Sequence, residues 1–133
     1  NLLRGLKREL YGTGLNIRDW IHVEDHCRAI CLIIEQGSIG ETYMIGVDNE
    51  RTNLEVLQLI LTHMGYPSDY FDFVEDRKGH DLRYGIDATK LISELGFKHK
   101  HTDFEKALKS TVDWYKTHED WWLPLIEKKE ELN

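Results

Sequence analysis

The densest group of chemically capable residues is one short stretch, Glu75-Asp76-Arg77-Lys78-Gly79-His80-Asp81-Leu82-Arg83-Tyr84-Gly85-Ile86-Asp87. Its charges are of both signs. Gly79 stands centrally, where a backbone can turn sharply or approach another group closely. Arginine presents a planar fork of donors matched to phosphate oxygens, and histidine adds a shorter donor. A loop of this kind can wrap a diphosphate. It can also be a solvated surface loop held by its own ion pairs, and residue types alone favour that second reading.

A second group, His22-Val23-Glu24-Asp25-His26, sets two histidines four residues apart beside carboxylates. The helical zinc pair has the order His-Glu-x-x-His, and here the glutamate is displaced. No third ligand is evident, so we read a capped helix start with solvated polar groups and expect no metal. Other catalytic signatures are missing. Gly12-Thr13-Gly14 lacks the third glycine of a dinucleotide turn, and no tyrosine is followed four residues later by lysine. There is no Gly-x-Ser-x-Gly elbow and no P-loop.

Composition narrows the partners. With 17 Lys and Arg against 24 Asp and Glu, the chain carries a net charge of −7. Such a chain does not attract phosphate backbones as a whole, so nucleic acid is not an expected partner. A single small anion needs only a few local cations. No apolar run approaches the ~18 residues that span a bilayer, and we read no signal peptide. Cys27 and Cys31 are read as buried core thiols on one helical face and not as a disulfide, which points to the cytoplasm.

The elements that must hold these groups can be read from periodicity. The opening stretch, Leu2 to Lys7 after Asn1, reads as the tail of a helix opened at its N-terminal end. Residues 8–21 predict two short extended segments around a glycine turn. Val23, Cys27, Ile30, Cys31 and Ile34 form one helical stripe, with Gly37 as a stop. Glu41 to Gly46 reads as a short buried strand. Thr52 and Glu55 have capping-box spacing ahead of a stripe of Leu54, Leu57, Ile60, Leu61 and Met64, ended by Gly65. Phe71 to Val74 predicts a strand. Asp87 caps a short helix with Leu91, Ile92 and Leu95, ended by Gly96. Thr102 and Glu105 predict a second capping box before a helix carrying Phe104, Leu108, Val112 and Tyr115. The tail from Trp121 to Asn133 is expected to pack at its start and fray at its end. The result is a mixed α/β chain of 133 residues, one domain in size, without a complete βαβ array.

Three strings give a resemblance. Arg77-Lys78-Gly79-His80-Asp81-Leu82-Arg83-Tyr84-Gly85-Ile86-Asp87 is similar to the Arg-Pro-Gly-His-Asp-Arg-Arg-Tyr-Ala-Ile-Asp string of dTDP-glucose 4,6-dehydratases, members of the extended short-chain dehydrogenase/reductase superfamily. Tyr11-Gly12-Thr13-Gly14 followed by Ile17-Arg18-Asp19-Trp20-Ile21-His22-Val23-Glu24-Asp25-His26 resembles a superfamily pattern. Gly40-Glu41-Thr42-Tyr43-Met44-Ile45-Gly46 agrees with Gly-Glu-Thr-Tyr-Asn-Ile-Gly. The likeness runs from the first residues to about Tyr115.

The resemblance implies that residues 1–133 are a single C-terminal nucleotide-sugar-binding domain, with the NAD-binding Rossmann part absent. By it, Tyr11 lines the nucleoside pocket and Arg18 reaches the diphosphate from its strand. Asn53 contacts the nucleotide, Arg77 is a second diphosphate arginine, and His80 lies near the phosphate or sugar. A helix N-terminus beside Asn53 would favour an anion. Arg18 could instead pair with Asp19 or Asp25, and Asn53 could merely assist a cap.

The implied reaction converts dTDP-glucose to dTDP-4-keto-6-deoxyglucose. It proceeds by NAD-mediated oxidation at C4, loss of water across C5 and C6, and return of hydride to C6. Such chemistry serves deoxysugar routes of the dTDP-rhamnose and cell-surface polysaccharide kind. The family also implies a homodimer for the full-length enzyme. The catalytic and NAD-binding residues belong to the N-terminal half, so the polypeptide alone is expected to be inactive. Glu9, Met44, Lys78 and Leu82 depart from the family pattern and leave the nucleobase preference open. A CDP-glucose dehydratase, a UDP-sugar decarboxylase, an epimerase or a non-catalytic binding module remain alternatives. The apolar faces of residues 23–36 and of the Tyr43 segment would lie uncovered, which predicts self-association.

Overall fold

The computed structural model describes the backbone of residues 1–131 and the side chains of residues 1–126. The opening stretch makes a single 3-10 turn over Leu2–Arg4, closed by Gly5 in the left-handed region at φ 72°. Two strands follow, β1 (Arg8–Tyr11) and β2 (Ile17–Asp19), with the expected glycine turn between them.

β1 and β2 do not pair with each other. β1 runs parallel to β4 (Phe71–Val74), with Arg8 opposite Phe71 and Tyr11 opposite Val74. β2 runs antiparallel to β3 (Glu50–Thr52), with Ile17 opposite Thr52. β3 carries only Glu-Arg-Thr, so no apolar alternation announces it. Glu41 to Gly46, expected as a strand, joins no ladder among the described residues. Its backbone is tied by scattered contacts instead: the Glu41 amide donates to the Ser38 carbonyl at 3.2 Å, and the Gly46 carbonyl meets His99 Nε2 at 2.8 Å.

α1 (Val23–Gln36) starts at His22, whose Nδ1 accepts from the Glu24 backbone N–H at 3.2 Å. α2 (Asn53–Met64) forms the predicted capping box. Thr52 Oγ1 accepts from the Glu55 amide at 3.1 Å, and Glu55 Oε2 accepts from the Thr52 amide at 2.7 Å. α3 (Thr89–Leu95) begins two residues beyond Asp87, whose carboxylate accepts from the Thr89 amide at 2.9 Å.

α4 (Phe104–Thr117) departs from expectation at its start. Asp103, not Thr102, is the cap, and it accepts from the Lys106 amide at 3.1 Å. A carboxylate there also pairs with Lys106 Nζ at 2.9 Å, which a threonine cannot do. The tail forms a helix, α5 (Glu119–Glu131). Its start packs as expected: Trp122 is buried and donates from Nε1 to the Tyr115 carbonyl at 2.8 Å. The expected fraying of the chain end concerns residues outside those described.

Two small cores result. Leu2, Leu10, Leu57 and Leu61 form the first, with Leu54, Ile60 and Met64 packed on it. The α2 stripe is therefore the one expected. Ala29, Leu91 and Phe97 form the second, with Leu32 and Ile33 against it. α1 turns this face, not its predicted stripe, toward α3. Val23, Ile30 and Ile34 are exposed, Ile34 by 78%, and Cys27 and Cys31 are exposed thiols and not core residues. The stripe of α1 that carries them is open to solvent. No helix among the described residues is long and apolar enough to cross a membrane.

Candidate functional site

β2 and the residue after it distribute three neighbouring side chains to three tasks. Asp19 accepts from the amides of Val47 and Asn49, both at 2.8 Å, and so shapes a turn in which Asp48 takes φ 54°. Trp20 donates from Nε1 to the Arg51 carbonyl at 3.1 Å and fixes β3. Arg18 serves the loop of residues 75–87. Its NH2 donates to the Asp81 carbonyl at 2.9 Å, its NH1 donates to the Ile17 carbonyl at 2.6 Å, and its guanidinium lies 4.3 Å from the Tyr84 ring centroid. Arg18 therefore pairs with neither Asp19 nor Asp25.

That loop is tied to β2 by backbone bonds as well. Ile17 N–H donates to the Leu82 carbonyl at 2.7 Å, and Tyr84 N–H donates to the Ile17 carbonyl at 3.1 Å. Arg83 grips Glu50 with two bonds of 2.7 and 2.5 Å, which lowers the freedom of the loop against β3. Asn16 ties in a third element. It is buried, its Nδ2 donates to the Asp81 carbonyl at 3.3 Å, and its own carbonyl accepts from the Asn53 amide at 3.0 Å.

The other end of the loop carries Arg77 and His80. His80 N–H donates to the Arg77 carbonyl at 3.1 Å, and Gly79 takes φ 71° while Lys78 stays at negative φ. This is the pattern of a type II turn, with glycine at the position that needs positive φ. The Arg77 guanidinium lies 4.7 Å from the Tyr11 ring centroid and 3.3 Å from His80 Nε2. Asp76 faces His80 Nδ1 at 2.7 Å.

The structure thus brings Tyr11, Arg77 and His80 into direct contact. Arg18 and Asn53 join them through Asp81 and Asn16. Each arginine is laid on an aromatic ring, which holds a guanidinium in place while its remaining donors stay usable. The amides at the start of α2 are a different matter. Those of Asn53, Leu54 and Glu55 donate to the Asn16 carbonyl, the Gly14 carbonyl and Thr52 Oγ1. They are not available to an anion, and Glu55 adds negative charge there. What Asn53 can offer is its side-chain amide. Asn16, Asp76 and Tyr84 were missed as site residues. Nothing in their types marks them, because the work of Asn16 depends on Asn53 and on Asp81, the latter 65 positions away, and that of the others on the loop's folded shape.

One group has metal-like spacing. His22, Glu24 and His101 place ligand atoms within 4.8 Å of one another, so His101, not His26, is the histidine that joins His22. Glu24 is already engaged, by Lys100 Nζ at 2.6 Å and His101 Nε2 at 2.7 Å, and these hold its carboxyl down at about 2. The two rings stack at 3.8 Å.

Residues 1–111 match the family model described as GDP-mannose 4,6 dehydratase. A curated relative, dTDP-glucose 4,6-dehydratase of Mycolicibacterium smegmatis, is 54% identical over 125 residues, covering 94% of this chain and 38% of its own length. Among solved structures, the dTDP-glucose 4,6-dehydratase of Streptomyces venezuelae with NAD and TYD bound matches at TM-score 0.87 and 44% identity. That of Bacillus anthracis in complex with NAD matches at 0.84 and 48%. Both cover 94% of this chain, and 38% and 39% of theirs. The chain thus spans under two fifths of the proteins it resembles. Its described residues do not fit an NAD site, since the Gly12–Gly14 turn leads into β2 and not into a helix N-terminus.

Proposed function

Because the chain belongs to the family described as GDP-mannose 4,6 dehydratase, we propose that residues 1–133 form the C-terminal nucleotide-sugar-binding domain of a dTDP-glucose 4,6-dehydratase. Tyr11, Arg18, Asn53, Arg77 and His80 hold a dTDP-sugar in this reading. The two arginines take the diphosphate from separate segments, Tyr11 lies under the nucleoside side, and Asn53 contributes its amide. The whole protein converts dTDP-glucose to dTDP-4-keto-6-deoxyglucose with NAD held by the region outside this stretch, in the cytoplasm and as a homodimer. What supports the reading most is the Arg77 guanidinium set on the Tyr11 ring with His80 beside it.

Calorimetric titration of dTDP, UDP and CDP into the chain tests this. Saturable binding with dTDP preferred is expected. Arg18→Ala and Arg77→Ala should each weaken it roughly tenfold or more, the scale of a lost charge-assisted hydrogen bond. Binding that ignores both substitutions defeats the assignment. The 133-residue polypeptide mixed with NAD and dTDP-glucose should form no 4-keto-6-deoxy sugar, since it carries no Tyr-x-x-x-Lys pair.

A further inference from the structure

Asp76 stands two residues beyond the end of β4, just ahead of the Arg77–Asp87 string. Its Oδ1 accepts from the Arg77 backbone N–H at 2.9 Å and meets His80 Nδ1 at 2.7 Å. Gly12 makes room for it. A Cβ on Gly12 would fall 2.7 Å from Asp76 Oδ2, and Gly12 also takes φ 55°. The His80 side chain is only 8% exposed, although its loop is open to solvent.

The partners fix how the ring must be protonated. A carboxylate can only accept, and a guanidinium can only donate. Asp76 stays charged, because the His80 ring bond leads the contacts that hold its carboxyl below the ordinary range. Nδ1 must therefore carry the hydrogen that Asp76 accepts. Nε2 is then a bare lone pair, able to accept from Arg77 NH2 at 3.3 Å. A doubly protonated ring would set N–H against N–H at that contact. With both ring nitrogens so engaged, His80 serves the bound nucleotide sugar through Arg77 and not as a direct donor to a phosphate.

We propose that Asp76 is the positioning residue of the phosphate-binding loop: it selects the Nδ1–H form of His80, whose Nε2 then steers the Arg77 guanidinium onto the Tyr11 ring. The role rests on the nucleotide-sugar reading above, because it is the placing of Arg77 for a diphosphate that Asp76 would serve. It acts through His80 and Arg77 and touches no ligand itself.

Two readouts on the full chain test it. Long-range ¹H–¹⁵N correlation of the imidazoles reports the His80 tautomer with no nucleotide present, and titration with dTDP reports affinity. The wild type should show Nδ1–H. Asp76→Ala should move His80 toward Nε2–H and weaken dTDP roughly tenfold, as for a lost bond to a charged group. Asp76→Asn keeps an acceptor of the same shape and should retain Nδ1–H and most of the affinity, which also guards against a misfolded alanine variant. In an Arg77→Ala background, Asp76→Ala should cost no further affinity.

A wild-type Nε2–H ring overturns the proposal. So does an unchanged tautomer in Asp76→Ala, or an equal loss of affinity with and without Arg77. If the wild type binds no dTDP while its tautomer still responds to Asp76→Ala, the nucleotide reading has failed and takes the role down with it. The Asp76–His80 coupling itself would then stand.

Discussion

The Arg18 guanidinium lies 4.3 Å from the centroid of the Tyr84 ring, and the Tyr84 hydroxyl donates to the Asp81 side chain. A residue on β2 and a residue 66 positions later thus hold each other, with Asp81 serving both. The stack is worth about 0.5–2 kcal/mol by itself. Tyr84→Ala should weaken dTDP binding several-fold by freeing Arg18. Tyr84→Phe keeps the ring and should keep most of the affinity. Titration of both variants separates the ring from the hydroxyl.

Asp25 is fully buried on α1 and accepts from the amides of Lys100 and His101 and from Arg28 NH1 at 2.7 Å. Burial pushes its carboxyl up, but the His101 and Lys100 amides and Arg28 outweigh this and hold it below its ordinary value. Asp25→Ala strands two backbone donors and should destabilise the chain by about 3 kcal/mol. Urea denaturation gives the number. A loss under 1 kcal/mol would show that water replaces the carboxylate.

His22 gives a pH response of definite sign. Burial, then the nearby His101, lower its pKa from the ordinary 6.5, against an opposing pull from Glu24 and Asp25. The unfolded chain therefore binds the proton more readily than the folded one. Stability should fall as pH drops through about 6.5 and level off below the folded value. Protonation at Nδ1 also removes the acceptor that caps α1. His22→Asn keeps a capping acceptor and should flatten thermal stability between pH 7 and pH 5, measured by calorimetry, if His22 is the source.

Lys78 occupies the second position of the Arg77–His80 turn, the place where proline fits a type II turn. Lys78→Pro should stabilise the chain by about 0.4–1 kcal/mol, by restricting the unfolded state. It should leave His80 and Arg77 where they are. A drop in melting temperature would mean that the Lys78 amide or backbone angle is needed as it stands.

The uncovered side of α1 should make the isolated chain self-associate. Val23 is 66% and Ile34 78% exposed there. Val23→Lys with Ile34→Lys should return it toward monomer in light scattering. A wild type that is a clean monomer at high concentration would count against the expectation.

Much of this was readable in advance because it is local. The Thr52–Glu55 box, the Gly65 stop and the α2 stripe depend on neighbours three or four residues apart, and all form as read. The turn at Gly79 is local too. What was misread depends on distant partners. The apolar character of the α1 stripe says only that it wants cover, not whether cover is present: the face of residues 23–36 is open as expected, and Cys27 and Cys31, read as core thiols, are therefore exposed on it. Glu41 to Gly46 fails as a strand for the same reason. The shift from Thr102 to Asp103 is a contest between two adjacent caps, decided by a lysine three residues on. Tyr11, Arg77 and His80 were named by resemblance. Their dependence on Asp76 and Gly12 could be seen only once β1 and β4 lay side by side.

The pairing of β1 with β4 joins residue 8 to residue 71, and that of β2 with β3 joins residue 17 to residue 52. Neither ladder can begin before a long loop has closed, so the entropy of closure comes ahead of any hydrogen bond that rewards it. α2 and α4 can flicker into shape on the microsecond scale by themselves. Refolding should then wait on the strands, and the loop of residues 75–87, which hangs from β4 and docks on β2, should be the last part to acquire its native order. Stopped-flow tryptophan fluorescence of this four-tryptophan chain would show it as a late phase, sensitive to dTDP in its reverse rate but not in its forward one.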